Sequence, residues 1–237
     1  LLVLAGTGLL MLPLAFPIAG KPQASGPTTS ARQSLGAAFA EAFKLPSFWL
    51  LTIGFFVCGF HVAFYSVHLP AYVADQGMDP WVGVWALMAV GIANIVGTWA
   101  AGQSAKFAEK RLVLSLIYFG RVFVFLGLLF LPISPMMVII VSTVLGFLWL
   151  STVPLTSSLV ATFFGTTWMS MLFGFVFLSH QVGSFAGLKL AGMLYDRTQS
   201  YDMMWWLSAG LGLFAALLHW PIRERPVPRL MAQTAPA

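Results

Sequence analysis

Long apolar runs alternate with short polar breaks from one end of the chain to the other. The runs occupy roughly residues 1–19, 48–69, 81–102, 112–131, 136–161, 169–193 and 203–221. A helix rising ~1.5 Å per residue needs about 20 such residues to cross ~30 Å of hydrocarbon. The last six runs meet that length or come within one residue of it, and the first, interrupted by Pro13 and Pro17, reads as partial. Strands do not fit. Open strands leave backbone groups unpaired in lipid, and barrel strands alternate with period two over about ten residues. The pattern therefore predicts six membrane-spanning helices preceded by part of another. The first run lacks the basic segment that opens a signal peptide. Pro13 and Pro17 lie near its end, so it reads as the departing end of a span that begins upstream.

The longest polar segment, residues 20–46, follows that first run. It opens with the flexible stretch Lys21-Pro22-Gln23-Ala24-Ser25-Gly26-Pro27. Leu35, Ala38, Phe39, Ala42 and Phe43 then recur at helical spacing, with Glu41 and Lys44 on other faces. A short amphipathic helix is expected there, either lying on the membrane surface or packed beneath the bundle, since both need the same periodicity.

Composition narrows the class further. Of 237 residues, 59% are hydrophobic and only 8% charged, with a mean hydropathy of +0.88. A soluble domain carries about 25% charged residues, so lipid must be the solvent for most of this chain. The net charge of +5 and pI near 9.7 invite a nucleic-acid reading. The basic residues instead form short clusters between apolar runs, the pattern of membrane flanks; the bilayer is the expected partner and nucleic acid is not. With residues 20–46 placed inside, Lys21, Arg32, Lys44, Lys106, Lys110, Arg111, Arg223, Arg225 and Arg229 are all inside. Only Arg197 falls outside, and Arg121 and Lys189 lie within spans. By the positive-inside rule the C-terminus is cytoplasmic, in a membrane of the bacterial inner-membrane type. The single cysteine, Cys58, excludes an internal disulfide and a cysteine metal cage. The sequence holds no phosphate loop, HExxH or cysteine cluster. Neither an enzyme nor a cofactor or metal site is expected.

Three segments carry a family resemblance. Glu41-Ala42-Phe43-Lys44-Leu45-Pro46-Ser47-Phe48-Trp49-Leu50-Leu51 resembles the start of the seventh helix in the major facilitator superfamily. The oxalate/formate antiporter and monocarboxylate porter branch is the nearest in pattern. Cys58-Gly59-Phe60-His61, leading to His68-Leu69-Pro70-Ala71-Tyr72, resembles the same branch, as does Gly192-Met193-Leu194-Tyr195-Asp196-Arg197-Thr198 before Ser200-Tyr201. In order and spacing the resemblance extends over about residues 1–225.

It implies an all-α integral membrane fold of twelve helices in two six-helix halves, with substrate bound between them near the midplane. Residues 1–19 are then the end of helix six and 20–46 the cytoplasmic central loop. Residues 47–222 are helices seven to twelve, 223–237 is a cytoplasmic tail, and the N-terminal half of the same protein is a partner. Two segments depart from family patterns. Between helices eight and nine, in Gly102-Gln103-Ser104-Ala105-Lys106-Phe107-Ala108-Glu109-Lys110-Arg111, Lys106 stands where the family often has aspartate. Eukaryotic monocarboxylate transporters place an Asp and an Arg four apart in helix eight; the corresponding positions here are Asn94 and Thr98.

Charge inside a membrane is costly and marks candidate function. No Asp or Glu lies deep in a span; the embedded ionisable groups are Arg121, Lys189, His61 and His180, with His68 and His219 near span ends. Such an inventory favours an anion; a proton would need a carboxylate in the N-terminal half or, otherwise, a histidine. Arg121, ten residues past Arg111, lies ~15 Å into the membrane. It is suited either to pairing with a substrate carboxylate or to neutralising helix ends and carbonyls inside the bundle. Lys189 can snorkel to the outer headgroups. His61 and Tyr65 share one helix face, and Ser184 and Gly187 share another with His180. His61, Tyr65, His180 and Gln181 are candidates for substrate contact, with interhelical hydrogen bonding as the alternative. Asn94 and Trp149 lie on cavity helices by resemblance, and Pro154 shortly after Trp149 predicts a bend or opening. The function expected is secondary active transport of small organic anions, monocarboxylates or dicarboxylates such as formate, lactate or oxalate, by alternating access. A non-transporting membrane sensor or assembly subunit, and a drug or sugar transporter of the same superfamily, are the alternatives.

Overall fold

Prolines and short polar side chains set where the spans begin. Pro46, Pro80 and Pro135 each open a helix at its first turn, where the missing N–H costs nothing. The Asp79 carboxylate accepts from the Trp81 N–H at 2.8 Å and Ser134 Oγ from the Met137 N–H at 3.2 Å, satisfying backbone donors that a helix start leaves free. The structure, a computed structural model, describes residues 33–234. The end of helix six and residues 20–32 of the central loop lie outside the described residues.

In chain order the helices are α1 (Leu35–Phe43), α2 (Pro46–Asp75), α3 (Pro80–Ser104), α4 (Lys110–Phe130) and α5 (Pro135–Phe147), followed by α6 (Thr152–Phe164), α7 (Met169–Thr198), α8 (Asp202–His219) and α9 (Pro228–Thr234). No strand occurs among the described residues. Gly165 at φ 74° ends α6 and Gln199 at φ 51° ends α7, the left-handed region that stops helices.

Five segments are long and apolar enough to cross a membrane: α2, α3, α4, α7, and α5 with α6 taken as one 30-residue span. The sixth expected span, α8, has 18 residues with Asp202 and His219 at its ends. It sits near the lower limit for crossing and is not one of the five. Three further details refine the sequence pattern, one of them the opening expected beside Pro154. Helix α2 does not stop at Pro70 but continues to Asp75, and a side chain at Gly83 of α3 would lie 3.3 Å from Pro70 Cα, so that neighbouring helix packs against the proline turn. The run at 136–161 is broken at 148–151. The tail carries a short helix, α9.

The spans associate in three close pairs, α2 with α7, α4 with α8, and α3 with α5, and α2 also touches α3, α6 and α8. Buried side chains form two apolar clusters along this arrangement. One includes Phe48, Phe55, Leu159 and Phe163; the other includes Phe64, Leu69, Phe125 and Trp205. Ile95, Trp99, Phe123, Phe185 and Leu217 are all exposed. That much apolar surface is incompatible with water. It is the surface of a multi-pass integral membrane protein.

Most of the described Lys and Arg residues gather at one end, with Asp75, Asp79, Asp196, Arg197 and Asp202 at the other. At the basic end α1 buries Ala38 and Ala42 and lays the Phe39 and Phe43 rings 6.1 and 5.1 Å from Phe175 of α7, so it packs beneath the bundle. The tail crosses the same end. Glu224 accepts from the Arg111 N–H at 2.7 Å and pairs with Lys110 at 3.7 Å. The Val227 N–H bonds Phe163 O at 2.9 Å, and Arg229 pairs with Glu41 at 3.3 Å.

Candidate functional site

The break between α5 and α6 starts from Pro154. Proline offers no N–H to the carbonyl four residues earlier, and its ring clashes with that carbonyl, here Leu150. The Val153 N–H turns back to Leu150 O at 2.9 Å instead, and residues 148–151 leave the helix. Buried backbone groups at membrane depth must find partners, and these find them on neighbouring helices. Arg121 of α4 donates through Nη2 to Leu148 O at 2.7 Å and Trp149 O at 2.5 Å. Asn94 of α3 accepts the Leu150 N–H on Oδ1 at 3.0 Å. Ser151 Oγ returns to Phe147 O at 2.6 Å. The two sides of the break are thus held by an arginine and an asparagine from different helices.

Glycine brings the helices close enough for this. A Cβ at Gly97 would fall 1.8 Å from Phe147 O, and one at Gly146 would fall 2.6 Å from the Val90 backbone. Helices α3 and α5 therefore touch backbone to backbone, just ahead of the break.

On the Asn94 side lies a concave site of about 630 Å³, lined by Asn94, Ile95, Thr98, Trp99, Leu150, Val153 and Pro154. Thr98 Oγ1 donates to Asn94 Oδ1 at 3.3 Å. With Oδ1 committed to the Leu150 N–H and Thr98, the amide nitrogen of Asn94 is its free end. The first turn of α6 adjoins the same hollow through Val153 and Pro154, bringing the positive end of a helix dipole to its edge. No acidic side chain lines it. A second hollow of about 550 Å³, lined by Ala89, Ile92, Ala93, Val96, Thr143, Val144 and Phe147, is almost wholly apolar and suits lipid.

The structure brings some of the expected residues together and separates others. Arg121 is fully buried and bound to carbonyls; of its two readings, the structure supports neutralisation of a helix end. Trp149 is 7% exposed, sits in the break, and meets the Tyr65 ring edge-on at 5.9 Å. Asn94 lines the hollow directly. His61 and Tyr65, by contrast, are both fully buried inside the bundle. His61 Nε2 lies 2.9 Å from Ser208 O of α8, and Tyr65 Oη bonds Ser142 Oγ of α5 at 2.8 Å. The shared face of His61 and Tyr65 turns to α5 and α8, not to an open cavity. His180 is buried with its ring stacked on Phe177, while Gln181 beside it is exposed and accepts on Oε1 from His180 Nδ1 at 3.1 Å. Neither lines the hollow beside Asn94.

Residue types alone gave no reason to single out Cys58, Tyr118 or Thr152. Cys58 Sγ lies 3.2 Å from Thr152 Oγ1 and 3.7 Å from Arg121 Nη2, and Arg121 sits over the Tyr118 ring at 5.0 Å. A buried arginine surrounded by apolar sequence was the one signal pointing to a polar cluster here.

A lipid-exposed helical bundle whose paired spans meet at a broken helix, with polar groups converging on the break, has the build of a membrane carrier. Residues 1–188 match the family model of the Major Facilitator Superfamily, and the chain belongs to that superfamily. Its members are transporters rather than enzymes. No curated protein matches the sequence.

Proposed function

We propose that this chain forms the C-terminal half of a secondary transporter for small organic anions, with Asn94 at the substrate. One observation carries the reading. The broken span faces its hollow with a free amide nitrogen, a hydroxyl-bearing Thr98 and the positive end of α6, while Arg121 lies behind the break. No carboxylate enters this arrangement. Discontinuous helices in secondary transporters direct half-helix N-termini at anionic groups in the same way. Helices α3 and α7 leave faces that an N-terminal half could cover. Each is only 28% buried along its most apolar stretch, against 61% for α2, so they present the most open faces for an N-terminal half to close over. Alternating access would then rock the two halves about the hollow, with the 148–151 segment as the compliant part of this half.

The test uses the full-length protein in proteoliposomes, offered labelled formate, lactate and oxalate beside glucose and a lipophilic cation. Uptake of at least one carboxylate, reduced at least tenfold by Asn94→Asp, is the expected result. That variant keeps an oxygen for the Leu150 N–H while setting a negative charge at the hollow. Uptake of glucose or the cation alone, or an Asn94→Asp protein that moves carboxylates at the normal rate, would overturn the reading.

A further inference from the structure

The described acids at the basic end are all engaged. Glu224 pairs with Lys110 at 3.7 Å, Glu109 with Arg111 at 2.5 Å and Glu41 with Arg229 at 3.3 Å. Lys44, Lys106, Arg223 and Arg225, all exposed, are left with no acidic partner among the described residues. Lys106 donates to the Gln103 amide oxygen at 2.7 Å, in the turn between α3 and α4. The other three gather elsewhere. Lys44 ends α1, and Leu45 alone separates it from the first residue of α2. Three residues past Lys44, Ser47 Oγ accepts the Arg223 N–H at 3.1 Å, which brings the tail against that corner. The Arg225 N–H then bonds Arg223 O at 2.9 Å, so the tail turns and keeps Arg225 close by. Ile222 and Val227 are buried on either side, and the two arginines lie in the exposed stretch between these anchors.

The corner continues an apolar stripe. Leu213, Leu217 and Trp220 are all exposed, and their spacing of four and three puts them on one face along α8. Trp220 closes the stripe, and Arg223 follows three residues later. A tryptophan between an apolar face and a charged segment marks the headgroup level of a bilayer. Cations at that level meet phosphodiesters, and guanidinium pairs bidentately with phosphate oxygens. With no carboxylate left over, the corner attracts an anionic headgroup and gives the cationic end of a zwitterionic one nothing to pair with.

We infer that Lys44, Arg223 and Arg225 form a headgroup site for an anionic phospholipid whose acyl chains lie along the Leu213–Leu217–Trp220 stripe of α8. Charge selects the lipid and the stripe holds it, so a phosphate ion free in water makes only half of the contacts.

The test uses the full-length protein in detergent, titrated with phosphatidylglycerol or with phosphatidylcholine of the same acyl chains, and bound lipid is counted by native mass spectrometry. Phosphatidylglycerol should bind at least about tenfold tighter than phosphatidylcholine, since each basic group near the headgroups contributes about fivefold. Lys44→Gln, Arg223→Gln and Arg225→Gln should each weaken phosphatidylglycerol by about fivefold and leave phosphatidylcholine unchanged. The three side chains are exposed, so the variants should melt with the wild type. Lys106→Gln removes the same charge from the same end and should change binding less than twofold. Trp220→Ala should weaken both lipids. Equal affinity for the two lipids would overturn the inference. So would a loss in Lys106→Gln as large as in Arg223→Gln, which would show diffuse attraction in place of a site. Displacement of phosphatidylglycerol by millimolar inorganic phosphate would overturn it as well, because the corner would then bind the ion without the lipid.

Discussion

Two helix pairs in this bundle meet backbone to backbone, and only one of them is broken. In the first, α2 and α7 run unbroken for 30 residues each. A Cβ at Gly59 would fall 1.8 Å from His180 O, and one at Gly183 would fall 2.0 Å from Phe56 O. In the second, α3 meets α5 through Gly97 and Gly146, but the partner span opens just beyond the contact. Small residues give both pairs their closeness. What differs is where the backbone hydrogen bonds go. The first pair keeps its helical bonds within each helix and adds two hydroxyls across the contact, Ser179 Oγ donating to Thr52 O at 2.5 Å and Ser184 Oγ to Gly59 O at 3.2 Å. The second hands several of them to Asn94 and Arg121, and so depends on two side chains that a single substitution can remove. Close packing makes a rigid contact, and borrowed hydrogen bonding makes an adjustable one.

The largest effect should come from filling the rigid contact. Gly183→Leu is expected to cost at least about 2 kcal/mol and to shift the detergent-solubilised protein toward aggregate in size-exclusion chromatography. Gly174→Leu on the same helix, where a Cβ meets nothing within 4 Å, should elute normally; equal behaviour of the two would break the comparison. Next is Arg121→Met, which strands the carbonyls of Leu148 and Trp149. Thermal unfolding should show a loss of about 2 kcal/mol, partly regained in Arg121→Lys. Asn94→Ala follows, leaving one N–H unpaired at a half-open site, with an expected loss of about 1 kcal/mol. Asn94→Asp should melt like wild type, because it keeps the acceptor. Smallest is Glu41→Gln at the basic end, away from both pairs. Its ion pair with Arg229 is partly exposed, so the melt should move by less than about 1 kcal/mol. A larger shift would mean that the tail, rather than either helix pair, dominates stability.

These contrasts also mark what a sequence can disclose. The spans were legible because about 20 consecutive apolar residues have one physical use, and α1 because its apolar spacing left one face to bury. Pro154 announced a disturbance in its span but not its extent, since the opening at 148–151 is completed by partners 27 and 56 residues away in sequence. For Arg121 the sequence supplied both readings, and its carbonyl partners at the end of α5 come into view only in the fold. His61 and Tyr65 show a different limit. Spacing of four tells that two side chains share a face, but not whether that face meets a neighbouring helix or a cavity. In an almost wholly apolar chain, polarity contrast around each helix is too weak to orient it. Cys58 was legible only as a lone thiol, because the guanidinium beside it is 63 residues away in sequence.

The brevity of α8 has a consequence for the surrounding bilayer. Eighteen residues make roughly 27 Å of helix, whereas the 30 residues of α2 and α7 make roughly 45 Å. The acyl chains touching Leu213 and Leu217, both exposed on α8, must therefore shorten or splay relative to those around the rest of the protein. Membrane thickness then becomes a variable for this molecule, and reconstitution in lipids of increasing chain length should penalise the α4–α8 edge before any other.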